Sequence, residues 1–98
     1  MVRKVVWTKT AQQNRKEIYT YWNHKNKSTN YSNLLNNAIN RTLKLLTEYP
    51  RLGKSTKIKN VRVKILKDYL IIYEFNTKEI IVLSIWDTRQ NPNKLNLK

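Results

Sequence analysis

The sequence predicts an α+β fold: an N-terminal strand, then an antiparallel helical hairpin packed on one face of a small antiparallel β-sheet, in the order β-α-α-β-β-β. Two observations carry this. Apolar residues recur every three or four positions between Ala11 and Tyr49, whereas between Val61 and Trp86 they alternate or run continuously. A third concerns breakers: one Gly and two Pro in 98 residues leave little chain for long irregular connections.

Val2 to Trp7 is β-branched and aromatic and reads as the first strand. Thr8 or Thr10 offers a hydroxyl N-cap for a helix from Ala11 to about Asn23, with Ala11, Ile18, Tyr21 and Trp22 on its apolar side. The polar stretch Asn23 to Asn30, which includes His24, reads as an inter-helix turn. A second helix is expected from Tyr31 to Tyr49, with Leu35, Ala38, Ile39, Thr42, Leu46 and Tyr49 at 3-4 spacing and Leu34, Leu43 and Leu45 widening the stripe. Pro50 and Gly53 end it. Because the turn is short, the helices should run antiparallel.

The rest is β. Val61, Val63 and Ile65 alternate with Arg62 and Lys64, which predicts a half-buried strand with the two cations on the open face, away from the helices. Lys67-Asp68 is a tight turn into Tyr69 to Phe75, and 76–78 turns into Ile80 to Trp86, a nearly continuous apolar run suited to a central strand. A polar tail over 93–98 completes one domain spanning 1–98.

The totals narrow the function classes. With no cysteine there is neither a disulfide framework nor a thiolate metal site. His24 is the only histidine, and the six acids form no pair at metal-ligand spacing, so neither metal nor cofactor is expected. The start lacks the pattern of a signal peptide and no apolar run approaches a membrane span, which makes the cytoplasm the expected compartment and a membrane partner unexpected. The net charge of +14 is partly compositional, since 14 Lys accompany 13 Asn. Its distribution is not even. Arg51, Lys54, Lys57, Lys59, Arg62, Lys64 and Lys67 fall within 17 residues that hold no acid, half the net charge in about a sixth of the chain. Such a cluster suits a polyanion or an acidic protein, with Arg51, Lys54, Lys57, Lys59 and Lys67 as nucleic-acid contacts.

Catalysis, if present, must run on Lys, Arg and Tyr. An RNA 2′-hydroxyl can attack its neighbouring phosphate when a base takes its proton and cations stabilise the added charge. Arg62, Lys64, Tyr73 and Arg89 are the candidates: Arg89 to clamp the phosphate, Lys64 or Tyr73 to move the proton. Arg89 is expected to lie near the 51–67 cluster in space. Tyr73 has two readings, an accessible stacking platform beside Arg62 or Lys64, or a core tyrosine with its hydroxyl at the rim.

Taken in order, the opening strand, the hairpin closing on Glu48-Tyr49-Pro50-Arg51-Leu52-Gly53, the strands Val61-Arg62-Val63-Lys64 and Tyr69-Leu70-Ile71-Ile72-Tyr73, and the close Ile85-Trp86-Asp87-Thr88-Arg89-Gln90-Asn91-Pro92 resemble the RelE/ParE toxin superfamily, from about Val5 to Pro92. The resemblance implies the toxin half of a bacterial type II toxin–antitoxin pair, neutralised by an acidic antitoxin. It implies one of two activities. RelE-like members cut mRNA in the ribosomal A site without metal; ParE-like members inhibit DNA gyrase and are not known as nucleases. In the RelE-like case Arg62 and Lys64 fall near the strand that carries catalytic basic residues, and Arg89 matches the Arg after the last strand. Growth inhibition by mRNA cleavage, gyrase inhibition without chemistry, and simple nucleic-acid binding are the three functions to separate.

Overall fold

The computed structural model describes residues 2–89; Met1 and residues 90–98, with the expected polar tail, lie outside the described residues. The elements are β1 (Lys4–Trp7), α1 (Lys9–Asn26), α2 (Asn30–Glu48), a 3-10 turn (Pro50–Leu52), β2 (Lys54–Ser55), β3 (Val61–Leu66), β4 (Tyr69–Phe75) and β5 (Glu79–Asp87). The α+β class and the strand–hairpin–strands order hold. The five-stranded sheet has the order β1-β5-β4-β3-β2. Its pairings from β2 through β5 are antiparallel, as expected, but β1 runs parallel to β5, so the sheet is mixed. Strands joined by tight turns must pair antiparallel; β1 is joined to no strand by such a turn and is free of that constraint.

Helix α1 starts at Lys9, two residues before the expected Ala11, because Thr8 and not Thr10 caps it: its hydroxyl accepts from the Ala11 N–H at 3.0 Å. The same hydroxyl faces the Val82 and Leu83 carbonyls at 3.0 and 2.9 Å, tying the helix start to β5. There the β4–β5 register steps from Ile72↔Ser84 to Tyr73↔Val82, leaving Leu83 as the extra residue of a bulge.

The expected turn over Asn23 to Asn30 is shorter in the structure. His24, Lys25 and Asn26 form the last turn of α1, which ends on Lys27 in the left-handed region at φ 52°. Their polarity marks a solvated helix end. The hairpin is fastened by polar contacts, Tyr19 donating to Asn36 Oδ1 at 2.7 Å and Ser32 to Asn23 Oδ1, and by the Trp22 and Tyr31 rings, 4.6 Å apart.

The core lies between α2 and the sheet. Leu35, Ile39, Leu43 and Leu46 of α2 and Ala11 of α1 meet Tyr69, Ile71, Tyr73, Phe75, Ile80, Val82 and Ile85. Every second residue of β4 therefore faces the helices. Ile72 is also fully buried, on the opposite face, so β4 is apolar on both sides.

That arrangement reverses one expectation. Arg62 pairs with Tyr73, Lys64 with Ile71 and Leu66 with Tyr69, and residues directly opposite share a face. Arg62 and Lys64 therefore stand on the helix-side face, and Val61, Val63 and Ile65 on the other. The bulky alternating residues of β4 decide which face the core takes, and β3 follows by register.

Candidate functional site

The candidate residues divide into two groups at opposite ends of β4. The first surrounds the turn after α2. Tyr73 is completely buried. Its hydroxyl donates to the Pro50 carbonyl at 2.5 Å and accepts from the Gly53 N–H at 3.0 Å. Arg62 comes to the same turn from β3, its Nη1 donating to the carbonyls of Gly53 at 2.8 Å and Arg51 at 3.2 Å. The turn is thereby pinned by two side chains of the sheet, and glycine is needed at 53 for space. A Cβ there would stand 2.5 Å from the Tyr73 hydroxyl oxygen.

Tyr73 does lie beside Arg62, but as a core residue; a ring without exposed area cannot stack on a base. Burial pushes its phenol above the ordinary value of 10.0, against the pull of the Gly53 N–H and the Arg62 charge. It keeps its proton at neutral pH.

The exposed cations Arg51, Lys54, Lys57 and Lys59 lie along the one connection from the 3-10 turn to β3, with Arg51 also over the Phe75 ring at 5.4 Å. Lys67 is not among them. It sits in the β3–β4 turn at φ 54°, at the other end of β3.

The second group surrounds Arg89. Asp87 closes β5 opposite Tyr69, and Arg89 folds back on it as a fork, Nε to Oδ1 at 2.9 Å and Nη2 to Oδ2 at 2.8 Å. The Arg89 backbone N–H adds a third bond to Oδ1 at 2.9 Å. The guanidinium also lies 5.5 Å from the Trp22 ring and 5.8 Å from Tyr21. Trp22 in turn donates its Nε1–H to the Tyr69 hydroxyl at 2.6 Å. Tyr21, Tyr69, Asp87 and Arg89 edge a cleft of about 450 Å³ between α1 and the sheet, whose walls include Asn14, Glu17, Ile18 and Ile85.

Arg89 is thus neutralised in place. Its hydrogen bonds to Asp87 raise its own affinity for the proton and hold the Asp87 carboxyl below the ordinary value of 3.8. A group whose folded-state value is depressed stabilises the fold fully above its unfolded value, and that contribution is lost as pH falls through the folded one. Asp87→Asn removes it. In thermal melts from about pH 7 down to about pH 2, the wild type should lose stability relative to the variant only below the ordinary carboxylate value. A difference constant across the whole range would show that the fork is not stabilising.

Arg89 does not lie near Arg62. The β4 partners of Asp87 and Arg62 are Tyr69 and Tyr73, four residues or about 13 Å apart along the strand. Lys64 stands between them on the helix-side face and bridges neither group. Sequence reasoning missed the contribution of Asp87, Tyr21 and Trp22 to the Arg89 environment. One signal was present: an acid two residues before an Arg at a strand end can return to it. The ring contacts carried no signal, because Tyr21 and Trp22 read as helix core. Among the described residues, no three His, Asp or Glu side chains converge as a metal site, and no helix is long and apolar enough to cross a membrane.

Comparison with known proteins agrees with this architecture. No curated protein sequence matches the chain at a significant level. Among solved structures, a chain of the chromosomal ParDE toxin–antitoxin system from P. aeruginosa superposes with a TM-score of 0.72 at 19% identity, covering 88% of this chain and 96% of that one. That likeness shows the fold. Residues 5–92 match the family described as the ParE toxin of the type II toxin–antitoxin system parDE. The chain belongs to the ParE toxin family, the toxin half of type II toxin–antitoxin systems, and has an antitoxin as its implied partner.

Proposed function

We propose that this toxin arrests growth by binding DNA gyrase and inhibiting it without a chemical step, as ParE-like members do. The observation that carries this reading is the dispersal of the residues a nuclease would need. Metal-independent cleavage requires cations and a proton acceptor around one phosphate. Here Arg62 is spent on backbone carbonyls, Tyr73 is buried and protonated, and Arg89 is forked to Asp87 about 13 Å further along the sheet. The exposed cations from Arg51 to Lys59 then serve a protein or nucleic-acid surface rather than a reacting phosphate.

A supercoiling assay with purified gyrase tests the proposal. The toxin should inhibit supercoiling at micromolar concentration, and unimpeded supercoiling there would exclude it. The ribosome-dependent mRNA cleavage reading is tested in parallel by mapping mRNA ends on translating ribosomes after release from the antitoxin. Growth arrest with intact message is the outcome expected. Arg89→Ala should leave toxicity close to wild type, whereas a phosphate clamp at Arg89 would make that variant inert.

A further inference from the structure

The end of the sheet where β1 and β5 begin gathers cations from three segments that are distant in the chain. Lys54, Lys57 and Lys59 come from β2 and its connection to β3, Lys78 from the β4–β5 turn and Lys4 from β1, and all five are exposed. Lys4 lies opposite Glu79 in the ladder, and its N–H donates to the Lys78 carbonyl at 2.9 Å. Arg3 fastens the same two segments, its Nε donating to the Asn76 carbonyl at 2.6 Å. Three acids stand at this end, Glu48, Glu74 and Glu79. The opposite end of the sheet is balanced, with Lys67 and Arg89 set beside Asp68 and Asp87.

The backbone that carries these lysines is fixed. The Thr56 hydroxyl accepts from the Ile58 N–H at 3.1 Å and donates to the Val61 carbonyl at 2.8 Å, and the Phe75 N–H donates to the Asn60 carbonyl at 3.1 Å. In the β4–β5 turn Asn76 Oδ1 accepts from the Lys78 and Glu79 N–H groups, both at 2.8 Å. Backbone ordered in advance adds little cost on binding. From β1 to β2 is four strand spacings, about 19 Å. A DNA duplex carries one negative charge per about 1.7 Å of its axis, so a row of this length faces about eleven phosphates.

The side chains select among polyanions. Protein interfaces are poor in Lys and rely on aromatic and apolar anchors. Here Lys dominates, and none of the exposed large apolar residues falls within 53–60 or 76–79. Single-stranded nucleic acid is held by bases stacked on exposed rings. These segments carry no ring, and the adjoining Phe75 is buried beneath Arg51. A duplex asks only for spaced cations along its backbone. We propose that the sheet end formed by Lys4, Lys54, Lys57, Lys59 and Lys78 binds the phosphate backbone of a DNA duplex. The inference rests on the gyrase reading for its role, because gyrase works on duplex DNA and a toxin seated there can hold the DNA as well as the enzyme. The binding itself is measured without gyrase.

The test titrates the full toxin, freed of antitoxin, with a short DNA duplex of mixed sequence and with a single strand of the same length, at several salt concentrations. The duplex should bind more tightly, and five lysine–phosphate contacts give log K against log salt a slope of about −4.5. Lys57→Gln/Lys59→Gln/Lys78→Gln changes exposed positions only, so it should fold, as checked by its melting curve. It should bind the duplex at least about tenfold more weakly, with a slope shallower by about 2.7. Lys9→Gln/Lys16→Gln/Lys25→Gln removes the same charge from exposed positions on α1 and should stay within about threefold of wild type. Equal losses in the two variants overturn the inference, because net charge alone would then explain binding. So does a single strand held as tightly as the duplex, or antitoxin neutralisation lost in the first variant with duplex affinity unchanged. Supercoiling assays keep the two readings apart. The first variant should inhibit gyrase less than wild type at equal concentration, and equal inhibition overturns the DNA contact while leaving gyrase as the target. Wild-type toxin that binds the duplex as expected but leaves supercoiling unimpeded removes the gyrase reading and supports the DNA surface.

Discussion

Replacing Tyr73 by Phe should lower the unfolding free energy by about 2–3 kcal/mol, although only one oxygen is removed. The hydroxyl satisfies two backbone groups of the turn after α2, and the Gly53 N–H it leaves behind is buried. An unpaired buried donor costs more than the net value of the bond it lost. Gly53→Ala attacks the same contact from the other side. Its Cβ would meet the Tyr73 hydroxyl oxygen at 2.5 Å, and a fully buried ring has nowhere to swing. A loss of about 2–4 kcal/mol is expected from overpacking together with the displaced bonds. Urea unfolding with an unchanged m-value measures both. The experiment also separates structure from chemistry. Toxicity abolished in Tyr73→Phe at unchanged stability would make the phenol a reacting group and overturn the structural assignment.

The second large effect is expected at Trp22. This ring touches Tyr31 of the other helix, donates to Tyr69 of the sheet and lies under the Arg89 guanidinium. Three parts of the fold meet on one side chain. Trp22→Ala should cost about 3 kcal/mol, through lost ring contacts and an orphaned Tyr69 hydroxyl. At roughly 4–8 °C per kcal/mol for a domain of this size, the melting temperature should fall by more than about 10 °C. Trp22→Phe keeps most of the apolar contact and loses the donor, so about 1 kcal/mol is expected. Equal losses in the two variants would mean that the hydrogen bond, not the packing, holds the junction.

The parts of this fold legible in the sequence are those where one periodicity dominates. The inner stripe of α2 is one, ended by Pro50; the caps and tight turns at Thr8 and Lys67-Asp68 are another kind of local signal. The hairpin turn was misplaced because His24 to Asn26 are polar for being exposed, and polarity alone does not separate a helix end from a loop. The open face of the sheet was misassigned for a different reason. Val61, Val63 and Ile65 alternate as core residues do, yet β4 has apolar residues on both sides, and only the cross-strand register shows which side the helices cover. The bulge at Leu83 left no trace, because it falls inside an unbroken apolar run.

The candidate site suffered most from this, since its residues come from four elements. Sequence clustering from Arg51 to Lys67 suggested one patch. A strand is straight, however, and β3 carries its two ends apart, leaving Lys67 near the Arg89 end and Arg51 to Lys59 at the other.

The parallel pairing of β1 bears on the order in which the molecule can be made. Lys4 to Trp7 are translated well before their ladder partners, Glu79 to Val82. Few contacts in so small a chain span a greater sequence separation, and such contacts close late because the intervening loop must be ordered first. During translation β1 has no edge to join until β5 has emerged, so the nascent chain lacks its complete sheet through most of its synthesis.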